Sequence, residues 1–139
     1  MLRSVRHFTP EEANAALEHV RPLAEQLVSC RGEHVAALER QEELEARIRG
    51  NGGGIPPAQL ADATAEVDTL ARRLAKLVDE IAGHGAEVKD LDTGLLDFPA
   101  RRRGETVLLC WRVGEDEIGF WHGTDDGFAG RRPLPLEEG

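Results

Sequence analysis

A run of helix breakers, Gly50-Asn51-Gly52-Gly53-Gly54 followed by Pro56-Pro57, separates two long segments whose apolar residues recur with a helical period. No other feature restricts the fold as much. Upstream, Ala13, Leu17, Val20, Ala24, Leu27, Leu38 and Ile48 fall near multiples of about 3.6. Downstream, Leu60, Ala63, Val67, Leu70, Leu74, Leu77 and Ile81 alternate spacings of three and four, the pattern of a coiled-coil seam. A glycine inside a helix costs about 1 kcal/mol, whereas proline suits a first helical turn. The spacing therefore predicts an antiparallel helical hairpin over about residues 9–83 that reverses at Gly50–Gly54.

Local signals fix the ends of that hairpin. Thr9 can cap, Pro10 fits the first helical position, and Glu12 stands where a capping box needs it. Pro22 removes one backbone hydrogen bond, which predicts a kink or short break near Arg21. Gly83 and Gly85 supply C-terminal capping residues.

Beyond them the period shortens. Short strands are predicted at Ala86–Leu91 and Leu95–Phe98, turning at Asp92-Thr93-Gly94. Glu105 to His122 reads as two strands around the turn Gly114-Glu115-Asp116-Glu117. A two- or four-residue loop there pairs Val113 with Ile118, Trp111 with Phe120, and Leu109 with His122. Leu108, Cys110 and Trp121, with Gly119 and Arg112, then share the opposite face. Ser4–Phe8 is a candidate edge strand, and the tail 131–139 reads as extended or disordered. The fold class expected is α+β. One domain, 1–139, holds the hairpin and a β-rich part at about 86–128, a small, mainly antiparallel sheet packed on the first helix.

Charge narrows the partners. The net charge of −9 is spread over both halves, with 14 acidic against 10 basic groups in residues 1–83 and 12 against 7 in 84–139. Neither half offers the surplus of Lys and Arg that attracts a phosphate backbone, so no nucleic-acid partner is expected. No stretch approaches the roughly 20 apolar residues of a membrane span, and MLRSVRHFTPEE has no apolar core of a signal peptide. A cytoplasmic location is expected, with Cys30 and Cys110 as free thiols.

Several motifs stand out: Phe8-Thr9-Pro10-Glu11-Glu12-Ala13-Asn14, Lys89-Asp90-Leu91, Gly94-Leu95-Leu96-Asp97-Phe98-Pro99, Leu109-Cys110-Trp111, Phe120-Trp121-His122 and Gly127-Phe128-Ala129-Gly130-Arg131. Together they resemble an uncharacterised bacterial family, the domain of unknown function 2203. The resemblance implies fold class and a bacterial origin, and hands over no catalytic residue.

The sharpest constellation is His122 with Asp97, Asp90 and Asp92, since imidazole and carboxylate can bind a divalent metal or act as an acid–base pair. Against this, His122 falls on the strand face of Leu109, Trp111 and Phe120, which favours a histidine at the core edge that donates to a carboxylate or carbonyl. Cys30 and His34 lie one helical turn apart, but two ligands on one helix do not make a site. Arg131 and Arg132, after a glycine-bearing loop, are candidates for an anion. The patch Leu108, Cys110 and Trp121 is a candidate association surface. These readings favour a non-enzymatic interaction or scaffold module, a homodimer that meets a protein partner through the helical hairpin or the β-hairpin face, with no cofactor. The alternative is a metal-dependent or acid–base enzyme, or a small-ligand binder, using His122 with Asp97 or Asp90 and an anion contact at Arg131.

Overall fold

The computed structural model describes residues 6–51 and 54–136. Helix α1 spans Pro10–Asn51 and helix α2 spans Pro57–Gly83. The start of α1 is the predicted capping box. Thr9 N–H donates to Glu12 Oε1 at 2.9 Å, and Glu12 N–H donates to Thr9 Oγ1 at 3.1 Å. Pro22 does not break α1, which runs through it without interruption. The single lost hydrogen bond is outweighed by burial on either side of it, at Val20, Ala24 and Leu27. Gly52 and Gly53 lie outside the described residues. The helices run antiparallel, since Cys30 Sγ meets Leu70 O while Arg40, further along α1, meets Glu66, earlier in α2. Gly85, at φ +94°, turns the chain out of α2, and a Cβ there would meet the Phe8 ring at 2.5 Å.

The sheet has five antiparallel strands in the order β1-β2-β3-β4-β5: Glu87–Asp90, Leu95–Arg102, Glu105–Trp111, Phe120–Gly123 and Arg132–Pro133. β2 continues four residues past the expected Phe98, because Pro99 sits where its missing N–H is tolerated and its carbonyl accepts Phe8 N–H at 2.7 Å. Arg103 and Gly104 both have positive φ, 53° and 78°, and make the two-residue hairpin that joins β2 to β3. The expected edge strand Ser4–Phe8 lies partly outside the described residues; residues 6–8 are not strand. The tail supplies β5, paired with β4 through Phe120 and Pro133.

The register between β3 and β4 differs from expectation by one residue. Leu108 faces His122, Leu109 faces Trp121, and Cys110 faces Phe120. The cause lies in α1. Residues 112–119 form a loop rather than a tight turn, because Asn14 takes both backbone groups of Ile118: Oδ1 accepts its N–H at 2.8 Å and Nδ2 donates to its carbonyl at 3.4 Å. Arg21 donates to the carbonyls of Glu115 and Asp116, and Trp111 Nε1 donates to Glu115 O at 3.0 Å. The expected Val113–Ile118 pair does not form.

A one-residue slip exchanges the faces of β4. Trp121 therefore joins Leu96, Phe98, Leu109 and Trp111 in the core shared with the helices, while His122 turns to the outer face. Arg112 lies over the Phe128 ring, and the Trp121 ring is overlain by Arg102 and Arg132.

Two exposed carboxylates at turns make stability acid-sensitive. Glu12 is held below the usual carboxylate range by Thr9, chiefly through its backbone N–H. Asp90 is held below it by the Thr93 hydroxyl first and the Thr93 N–H second. A depressed folded-state value stabilises above the unfolded pKa, near 4, and that stabilisation is lost as pH falls through the folded value. Thermal melts from about pH 6 downward should therefore show a falling midpoint below about pH 4. The double variant Glu12→Ala/Asp90→Ala should start lower and fall less steeply. An identical slope in both proteins would refute the assignment.

Candidate functional site

The outer face of the sheet carries two polar side chains that are nonetheless buried. Asp97 on β2 stands opposite Cys110 on β3, and His122 on β4 stands opposite Leu108, one step along the same face. Asp97 and His122 come from strands that flank β3, about two strand spacings or roughly 9.5 Å apart. Their long side chains close that gap over the middle strand: His122 Nε2 lies 3.0 Å from Asp97 Oδ1. Both are buried, at 1 % and 4 % exposure for Asp97 and His122.

The second ring nitrogen fixes the tautomer. His122 Nδ1 lies 2.8 Å from the Gly123 carbonyl. A carbonyl can only accept, so Nδ1 carries hydrogen and Nε2 faces the carboxylate. The local turn supports this carbonyl, because Asp126 Oδ2 accepts Gly123 N–H at 3.0 Å and Asp126 packs where a side chain at Gly123 or Gly130 would stand.

Cys110 completes the group. Its thiol, the imidazole and the carboxylate each offer one ligand atom, and these atoms all lie within 4.8 Å of one another. Burial, and then the charge of Asp97, push the Cys110 thiol up to about 12. It is a thiol at neutral pH, not the thiolate a cysteine nucleophile requires. Burial also raises Asp97, opposed by its hydrogen bond with His122. Cys30 lies elsewhere, buried in the helical seam, where burial raises its thiol too.

A cavity of about 150 Å³ opens against this pair, walled by Lys89, Leu95, Leu108, Thr124, Gly127 and Phe128. A second hollow of about 230 Å³ adjoins it across Leu95 and Phe128. A hollow of about 430 Å³ at the start of α1 is less suited to chemistry because its Thr9 and Glu12 are engaged in the capping box.

The remaining sequence candidates fall elsewhere. Asp90 is committed to the turn after β1, where it accepts from Thr93 N–H at 3.0 Å and from the Thr93 hydroxyl. Asp92 pairs with Arg31 at 3.0 Å. Arg131 pairs with Glu115 at 2.9 Å and stacks between Phe120 and Phe128, so its charge is already answered by a carboxylate. Arg132 overlies Trp121, on the other face of the sheet. The patch Leu108, Cys110 and Trp121 is not one surface, since Trp121 faces the helices and Cys110 is fully buried. Lys89, Thr124 and Phe128 are the residues that sequence reasoning missed; the alternation of β1 and the glycine before Phe128 were the signals available.

A family model described as an uncharacterized conserved protein, DUF2203, matches residues 6–134. The chain belongs to this family. The DUF2203 match covers both helices and the sheet as far as β5, and includes Asp97, Cys110 and His122. No curated protein and no solved structure matches the chain. Among the described residues, no helix is long and apolar enough to cross a membrane.

Proposed function

We propose that this DUF2203 chain binds a small molecule in the cavity over the Asp97–His122 pair. The observation that carries the reading is that pair itself: two buried polar side chains, joined at 3.0 Å, forming the floor of a cavity. Burying such groups costs free energy that an apolar pair would not, and an apolar sheet face needs neither. At about 150 Å³ the cavity is below the roughly 300–1,000 Å³ of clefts that hold drug-sized ligands, so the ligand is small. Lys89, whose ammonium pairs at 3.0 Å with the solvent-exposed Glu87 and can be shared with a second anion, and Thr124 suit an anionic oxygen, and Leu95, Leu108 and Phe128 suit a short apolar tail. Short-chain carboxylates meet both requirements. The proton between Nε2 and Oδ1 makes the pair an acid–base group toward such a ligand.

The test is an amide-shift titration of the metal-free full chain with acetate and butyrate. Saturable shifts at Lys89, Leu95 and Thr124, weakened in Lys89→Ala, support the reading. No shift at tens of millimolar would sink it.

One observation favours a second reading, a homodimeric scaffold module. Leu60, Ala63 and Val67 continue the coiled-coil spacing of α2 but are only half-buried, unlike Leu70, Leu74, Leu77 and Ile81. Sedimentation equilibrium at tens of micromolar separates the two: a monomer counts against the scaffold.

A further inference from the structure

We infer that Asp97, Cys110 and His122 bind one divalent metal ion of the zinc class, an inference that rests on reading this cavity as the functional site. Their three ligand atoms lie within 4.8 Å of one another. A tetrahedral zinc with bonds of about 2.0–2.3 Å spaces its ligand atoms about 3.3–3.8 Å apart, so shifts of about an ångström close the set around an ion.

The scaffold is suited to hold them. The three residues come from adjacent paired strands. The imidazole is aimed by Nδ1–H donating to the Gly123 carbonyl, which leaves Nε2 as the metal-facing atom. Metal-ligating histidines are oriented in this way, with the second nitrogen held by a carbonyl or carboxylate.

The donor set selects the ion. Thiolate, imidazole and carboxylate together suit zinc, whereas magnesium and calcium take oxygen ligands. Metal binding displaces the Cys110 thiol proton to solvent, and the resulting thiolate and the Asp97 carboxylate carry two negative charges, matching the charge of the ion. Asp97 and His122 line the cavity and Cys110 does not, so the fourth position of the ion faces the cavity. Three protein ligands with one exchangeable position is the pattern of zinc sites that act on a bound molecule, rather than sites that only brace a fold. A carboxylate entering past Lys89 takes that position.

Cobalt(II) is the probe. Full-length protein stripped with a chelator is titrated with cobalt, then competed with zinc. Binding should saturate at one ion per chain with a thiolate-to-cobalt charge-transfer band in the near ultraviolet. Cys110→Ala should abolish that band and weaken zinc binding at least about tenfold. Cys30→Ala should leave both unchanged. The chain has two cysteines, so the wild-type band and its persistence in Cys30→Ala assign the ligand even if Cys110→Ala fails to fold. Absence of saturable binding, absence of the band, its survival in Cys110→Ala, or its loss in Cys30→Ala would each overturn the inference. Carboxylate shifts in metal-free protein without a cobalt band overturn the metal site alone. The band without carboxylate shifts in either the metal-free or the zinc-loaded protein keeps the metal and retires the carboxylate.

Discussion

Replacing His122 with alanine should lower the free energy of unfolding by about 3–5 kcal/mol, the cost of leaving a buried ionisable partner uncompensated. The stranded group is Asp97, 1 % exposed, whose Oδ1 loses the ring nitrogen 3.0 Å away. Against a total stability of about 5–15 kcal/mol for a native domain, that loss is large enough to read directly in a urea transition. The double variant Asp97→Leu/His122→Leu separates the missing partner from the missing volume. Replacing both members of a buried pair by apolar groups is often near neutral, so the double variant should be more stable than His122→Ala by about 2 kcal/mol or more. A His122→Ala protein within about 1 kcal/mol of wild type would mean that water reaches Asp97 freely.

Gly94→Ala should cost about 2–5 kcal/mol, from two sources that act together. Gly94 has φ +69°, a left-handed conformation that penalises any residue with a Cβ by about 1–2 kcal/mol. The added carbon would also stand 2.5 Å from Val113 Cγ2 and 2.9 Å from Val28 Cγ2. β-branched valines have few rotamers into which to retreat, and overpacking of this kind costs about 1–3 kcal/mol. Because Val28 lies on α1 and Val113 in the loop 112–119, the clash wedges the helix away from the sheet. Chemical denaturation of Gly94→Ala alone and with Val113→Ala is the measurement. Partial recovery in the double variant is expected, and a fully additive double loss would exclude the contact as the cause.

The elements whose signals are local were legible in the sequence. Thr9, Pro10 and Glu12 form their capping box within four residues, and Asp92-Thr93-Gly94 turns where its composition implies. What could not be read was the loop 112–119. Its shape is imposed by Asn14 and Arg21, about a hundred positions upstream, and no turn propensity at Gly114 carries that information. The slip of one residue that followed accounts for most of the site's illegible part. With Leu109 opposite His122, Cys110 falls on the face away from the histidine and joins an apolar patch with Trp121. With Leu108 opposite His122, Cys110 falls beside it, and Trp121 goes to the core. Asp97 and His122 could be named from residue type alone, but their meeting over Cys110 depends on that register.

The bond between Asn14 and Ile118 joins residues 104 apart in the chain. Consider the order in which a ribosome releases them. The first turns of α1 emerge early, with Ala13, Leu17 and Val20 committed to a core whose other half, Leu109, Trp111, Ile118 and Trp121, is synthesised last. Two helices can zip quickly, since their contacts are local, but closing a loop of this length is slow. Between the completion of α2 at Gly83 and the synthesis of Ile118 the nascent chain therefore carries a hairpin with one unclothed apolar stripe, the kind of surface on which aggregation begins and chaperones act. Truncation anywhere before Ile118 leaves that stripe without its cover, so a shortened chain fails at the end that was made first.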